Sequence, residues 1–238
     1  YYYDKKDIPK GDMTRYWEPG PHEEWNPQRP PGKFYAGAPI YHDGKFAGWW
    51  YVDENLLYVG FFGGTMPVFT KDNLPWKSVL GSVDVMYILG GERDDPFVIP
   101  DNAFSLSTND GLSGIKQVWI SNVKSVSIGK KAFEGCYKLE HFVYDWDGEY
   151  IPCSLDDYAF HNCYALEDLQ YLNVCKLGNG SFERCDMLQN IDKYWKITAT
   201  KIPDQAFRNC TRLSAPKTMS KVKTSLDRKS GSAGMPRP

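Results

Sequence analysis

No run of about 18 apolar residues occurs in the chain, so no segment reads as a membrane-spanning helix. Net charge is −2, without the strong basic excess that a nucleic-acid-binding face needs, and nucleic acid is not an expected partner. The six cysteines include no Cys-x-x-Cys pair, and His22, His42, His141 and His161 are scattered. Neither set has metal-ligand spacing, so no metal and no cofactor is expected. His22-Glu23-Glu24 lacks the second histidine of a zinc-protease helix. The glycines around Gly60 to Gly64 lack the G-x-G-x-x-G spacing and following helix of a dinucleotide site. His161 and Cys163 stand two apart, as a thiol nucleophile and its base might. The same cysteine position recurs where no histidine is near, however, so His161 reads as a turn residue and the protein is not expected to be an enzyme.

What the chain does have is aromatic residues. They make up 15% of it, with 16 Tyr and 8 Trp, against an ordinary 42% apolar and 24% charged composition. Such an excess suits a binding surface, because Tyr and Trp join large contact area to a polar handle, and it suits a β-rich core equally well.

The second positive feature is a repeat. Ile99-Pro-Asp-Asn-Ala-Phe104, Ile128-Gly-Lys-Lys-Ala-Phe133, Leu155-Asp-Asp-Tyr-Ala-Phe160, Leu177-Gly-Asn-Gly-Ser-Phe182 and Ile202-Pro-Asp-Gln-Ala-Phe207 share one pattern, with Phe-to-Phe steps of 29, 27, 22 and 25 residues. Four of the five continue in register with Cys and Leu: Cys136/Leu139, Cys163/Leu166, Cys185/Leu188 and Cys210/Leu213. A strand pattern follows, as in Leu139-x-x-Phe142-x-Tyr144 and Leu166-x-x-Leu169-x-Tyr171, with Ile115-x-x-Val118-x-Ile120 in the first repeat. A unit this short cannot bury its own apolar side, so neighbours must stack into a continuous core. The expected fold is a β-rich α/β solenoid, a right-handed array of about five repeats.

These motifs resemble the bacterial BspA-like, or Treponema-type, leucine-rich repeats, whose unit reads roughly I-x-x-x-A-F-x-x-C-x-x-L-x-x-I-x-I-P. The resemblance runs from Ile99 to Leu213, with irregular repeat lengths and mostly without the proline after the strand. Trp50 to Val59, Gly64-Thr-Met-Pro67 and Pro75-Trp76 also resemble the module that precedes such repeats. The resemblance implies a secreted or surface-anchored bacterial protein, held by lipid through a segment outside this chain, that adheres to host or matrix proteins. A carbohydrate-binding component of a surface nutrient-capture system is the alternative, favoured by Trp119, Trp146, Tyr194 and Trp195.

Composition divides the chain further. Residues 1–37, with six prolines and Trp17 and Trp25, read as a Pro/aromatic-rich arm or linker. Residues 38–92, with Gly-rich turns such as Asp43-Gly44, read as an N-terminal β-cap, since an open rung exposes core and strand edge. The repeats occupy 93–213. Residues 214–238, with Lys217, Lys221 and Lys223, read as a basic C-terminal tail. Starting at Tyr1, the chain reads as a mature or trimmed form, so targeting is not visible in it.

Two readings stay open for the cysteines: a column of small buried hydrophobes, or a Cys153–Cys175 disulfide between adjacent rungs. Asp145, Asp147 and Glu149 cluster around Trp146, but one loop does not hold two carboxylates across a cleft as a glycosidase must. The binding face is expected from strand alternation, which stacks outward residues into columns. One column holds Trp119, Val143, Gln170 and Asp192. Beside it run Gln117, His141, Asp168 and Asn190, and a third column holds Ser121, Asp145, Leu172 and Tyr194. Trp119 is the expected anchor, under the cover of the arm or a ligand.

Overall fold

In the computed structural model the described residues are 34–213, except 54, 62, 91–94, 110–111 and 146–147. Most of the expected arm, the basic tail and Trp146 therefore fall outside them. Strands β1 (Phe34–His42) and β2 (Lys45–Asp53) form an antiparallel hairpin. Its turn is Asp43-Gly44, both residues at positive φ, the conformation that matches hairpin twist. β2 pairs antiparallel with β3 (Leu56–Phe61), and β3 pairs parallel with β4 (Val85–Leu89).

From β4 onward the chain alternates between two sheets. β6 (Gln117–Ser121), β8 (His141–Tyr144) and β10 (Asp168–Gln170) extend the first, giving seven strands in the order β1-β2-β3-β4-β6-β8-β10. β5 (Phe97–Ile99), β7 (Val126–Ile128), β9 (Ile151–Leu155), β11 (Leu172–Lys176) and β12 (Lys196–Ile197) form the second, all parallel. Each rung but the last thus supplies two strands, where the sequence pattern singled out one. The short apolar triplets before the Phe motif, such as Val126-Ser-Ile128, are the second, and they alternate buried and half-buried.

The third side of each rung is a stack of turns. Every repeat places a residue at positive φ two before its Phe: Asn102, Lys131, Tyr158, Gly180 and Gln205. Four place another two after it: Gly135, Asn162, Arg184 and Asn209. A left-handed residue ends a right-handed helix within a turn. That is why the α part of the expected α/β fold is not met: among the described residues the helical content is the single 3-10 turn Lys77–Val79. The turns hydrogen-bond rung to rung instead, as in Phe133 N–H to Ala159 O at 2.8 Å and Phe160 N–H to Ser181 O at 2.8 Å.

The Phe residues meet expectation. Phe104, Phe133, Phe160, Phe182 and Phe207 are buried, and consecutive rings stack at centroid spacings of 5.3, 4.9, 5.6 and 5.4 Å. The cysteines beside them do more than fill space. Cys136, Cys163, Cys185 and Cys210 each donate their S–H to the carbonyl of the preceding rung's Phe, at 3.3, 3.0, 3.1 and 3.0 Å. Burial pushes the Cys136 and Cys185 thiols well above their ordinary pKa and Cys210 to about 12, which keeps the donor proton in place. The first repeat has no such cysteine, and buried Asn109 bonds the Phe69 carbonyl at 2.6 Å instead. The disulfide alternative is not formed: Cys153 faces the core, Cys175 is exposed past a register shift between Val174 and Lys176, and both are thiols.

Candidate binding face

The outer face of the seven-stranded sheet is built by register. Leu56, Val85, Gln117, His141 and Asp168 are successive partners across β3, β4, β6, β8 and β10, and so are Tyr58, Tyr87, Trp119, Val143 and Gln170. Parallel strands in register bring side chains of one column within about 5 Å, close enough for flat rings to stack. Four aromatic rings do so. Tyr51, opposite Tyr58, stacks on it at 4.6 Å; Tyr58 meets Tyr87 at 5.6 Å; Tyr87 stacks on Trp119 at 6.2 Å. Trp49 adds a fifth ring, 5.3 Å from Tyr51 on the same strand. Its indole lies over Gly60, where a Cβ would collide with it, so glycine is required opposite this tryptophan.

Trp119 therefore lies where alternation placed it, but it is half-buried and not bare. Tyr87 stacks on it, Val143 is its strand partner on β8, and its Nε1–H donates to Gln117 Oε1 at 2.9 Å. Val143 departs from expectation: it is only 2% exposed, between the partner positions Trp119 and Gln170. Asp145 accepts a hydrogen bond from the Tyr87 hydroxyl at 2.5 Å, across two strands. Burial and that carboxylate push the Tyr87 phenol far above its ordinary pKa, so it remains a donor.

The neighbouring column centres on Asp168, only 1% exposed on this outer face. Its Oδ1 takes His141 Nδ1 at 2.9 Å and Gln170 Nε2–H at 3.1 Å, and its Oδ2 takes Asn190 Nδ2–H at 3.4 Å. The hydrogen bond to Asp168 raises the His141 pKa; burial opposes the shift, and Glu167 and Glu140 add to it.

The columns fail at the C-terminal rung. Asn190 and Asp192 both stand at positive φ, so 190–194 turns where the pattern implied a strand, and Asp192 is an exposed turn residue outside the first column. Leu172 is fully buried at the start of β11, which removes it from the third column, and Ser121 is buried. Tyr194 packs against the core and carries the Lys193 ammonium 4.6 Å above its ring. Cys163 is buried while His161 pairs with Glu134 at 3.2 Å, so the two do not form a nucleophile and base. Among the described residues no group of three or more His, Cys, Asp or Glu could hold a metal. The residues missed by sequence reasoning are Trp49, Tyr51, Tyr58 and Tyr87. The alternations Trp49-x-Tyr51, Leu56-x-Tyr58 and Val85-x-Tyr87 carried that signal, but nothing local shows that these strands continue the repeat columns.

Two sheets whose rungs pair in parallel, and a turn stack repeated rung by rung, define a leucine-rich-repeat fold. Residues 126–228 match the family described as BspA type leucine rich repeat region, in six copies. Over these residues the chain is similar to the BspA-like leucine-rich repeat proteins. Among solved structures it is similar to a leucine-rich repeat protein from Eubacterium ventriosum, at 10% identity and a TM-score of 0.34, covering 75% of this chain and 77% of that one. No curated protein matches.

Proposed function

We propose that this chain is a bacterial cell-surface binding module that takes a protein partner on the outer face of its seven-stranded sheet, in an adhesive or matrix-contacting role. The observation that carries the reading is the in-register aromatic ladder ending at Trp119. A flat strip of Tyr and Trp flanked by Gln117, His141 and Asp145 has the aromatic-rich, sparsely charged character of an interface core. The opposite sheet carries no such ladder: its outer residues are mixed, among them Val98, Pro152, Ser127 bonded to Ser154, Asn173 bonded to Thr198, and Lys196 over the Tyr150 ring.

Ring geometry favours protein over carbohydrate. A sugar packs its C–H face on an aromatic face, whereas Tyr58, Tyr87 and Trp119 turn their faces toward one another. The β1–β2 hairpin and β3 serve as the N-terminal cap of a right-handed solenoid, the usual hand for parallel strands joined by crossovers. The cap is taken as 38–92 and the repeats as 93–213.

Binding of the wild type, Trp119→Ala and Tyr87→Ala to an immobilised panel of matrix proteins, beside a glycan array, tests the reading. A protein ligand lost in both variants supports it. A glycan ligand lost in the same variants would establish the carbohydrate alternative.

A further inference from the structure

Two repeat positions carry a histidine and a carboxylate across one and the same joint. Glu134 and His161 each follow their rung's Phe by one residue, and His141 and Asp168 each follow it by eight. Between the Phe133 and Phe160 rungs both positions are therefore bridged, His161 Nδ1 to Glu134 Oε1 at 3.2 Å and His141 Nδ1 to Asp168 Oδ1 at 2.9 Å. One bridge lies on the turn stack and the other on the outer face of the seven-stranded sheet, so they clamp the joint from two sides. We infer that the Phe133–Phe160 joint is a pH-responsive seam in the solenoid, held most firmly when His141 is protonated and slackened when it is neutral.

The surroundings of each histidine support this. Around His141 stand Glu140 just ahead of its strand, Asp168 on the next strand with Glu167 just ahead of it, and Lys116 ahead of β6, whose carbonyl accepts the His141 N–H at 3.2 Å. Three carboxylates against one ammonium favour the imidazolium. Around His161 stand Glu134, with Lys131 3.2 Å from the same carboxylate, the Tyr158 ring edge-on at 5.5 Å, and Glu183 of the following rung, which Arg208 approaches to 3.5 Å. Neutral histidine can keep a hydrogen bond to each carboxylate but loses the charge assistance, which roughly doubles the strength of such bonds.

The direction of the response follows from linkage. The His141 pKa is raised in the folded protein, so its contribution is whole below its ordinary value of 6.5 and is lost as pH rises through the folded value. Burial raises the Glu134 pKa, but Lys131 and His161 outweigh it and leave the group below its ordinary value of 4.5. Its contribution is whole above 4.5 and is lost as pH falls through the folded value. The seam is tightest between the two. His141 stands two residues from Val143 at the middle of the outer face, so slackening would also change the spacing of that face's halves. This last consequence rests on the proposed function; the seam itself does not.

Urea denaturation of the full chain at pH near 5.5 and near 8 tests the seam without a partner, so its failure and that of the binding reading are separable. The wild-type midpoint should be higher at the lower pH, and His141→Gln should remove most of that difference. An unchanged difference in the variant, or none in the wild type, overturns the inference. Should the variant not fold, NMR titration of His141 in the wild type decides. A midpoint above that of an unfolded-chain histidine supports the seam, and one at or below it overturns it.

Discussion

The Phe–Cys column and the outer face of the seven-stranded sheet are built on the same rung spacing and use it in opposite ways. Inside, one residue type repeats at one position, and each Phe ring meets a copy of itself at about the contact distance of stacked rings. Outside, the column reads Tyr51, Tyr58, Tyr87, Trp119, Val143 and Gln170, a run of aromatics that gives way to an aliphatic and then a polar residue. The interior must fill an identical space in each rung, so identity is selected. The outer face fills no such fixed space, so only the alternation persists. A ladder crossing from the antiparallel hairpin into the parallel rungs shows that the face is continuous where the repeat pattern is not.

Substitutions can break or sharpen this contrast. Phe160→Ala, with ring neighbours on both sides, should cost about 3–5 kcal/mol, the range for truncating a buried Phe. Phe207→Ala, with a described stacking partner only in Phe182, should cost clearly less. Equal losses in denaturant melts would contradict a nearest-neighbour array.

Tyr87→Phe keeps the ring in the ladder and removes the hydroxyl from Asp145. A hydrogen bond to a charged group, half-buried, should be worth about 1–2 kcal/mol here. No measurable loss would mean that the outer face is held by ring contact alone.

Cys163→Ala should cost about 1–2 kcal/mol, through a lost hydrogen bond and a small void. Cys163→Ser separates the two, since serine keeps a donor to the Phe133 carbonyl. If the column is a hydrogen-bonding ladder, serine is milder than alanine. If it is only a packing device, burying the hydroxyl makes serine the worse.

Ser181 occupies the position where the other four repeats have Ala, and its Oγ is buried without a hydrogen-bond partner. Ser181→Ala should therefore raise stability, by about 1 kcal/mol, and a lower melting temperature would contradict that. The smallest effect expected is at the exposed Lys176–Asp156 pair, where Lys176→Ala should stay within about 0.5 kcal/mol by the same melts.

Much of this was legible in the chain. Ala-Phe-x-x-Cys-x-x-Leu at a period in the twenties demands stacked rungs, because no single unit can bury its Phe. The outward position of Trp119 followed from its place between Val118 and Ile120. Three decisions belonged to the tertiary structure. Left-handed residues beside each Phe turned the expected helical side into a hydrogen-bonded stack of turns. This was hidden because Lys131, Tyr158, Arg184 and Gln205 are not residues that announce positive φ. The ends of the columns were set by chain path: Val143 is covered by its neighbours, Leu172 begins β11 in the other sheet, and Asp192 sits in a turn. Last, the partners of Asp168 come from β8, from its own strand and from the next rung, while the ladder draws on residues 68 positions apart, from Tyr51 to Trp119. Alternation along a strand determines which way a side chain points. Which side chain it meets depends on strand pairing and register, and those are set by the packing of the whole solenoid.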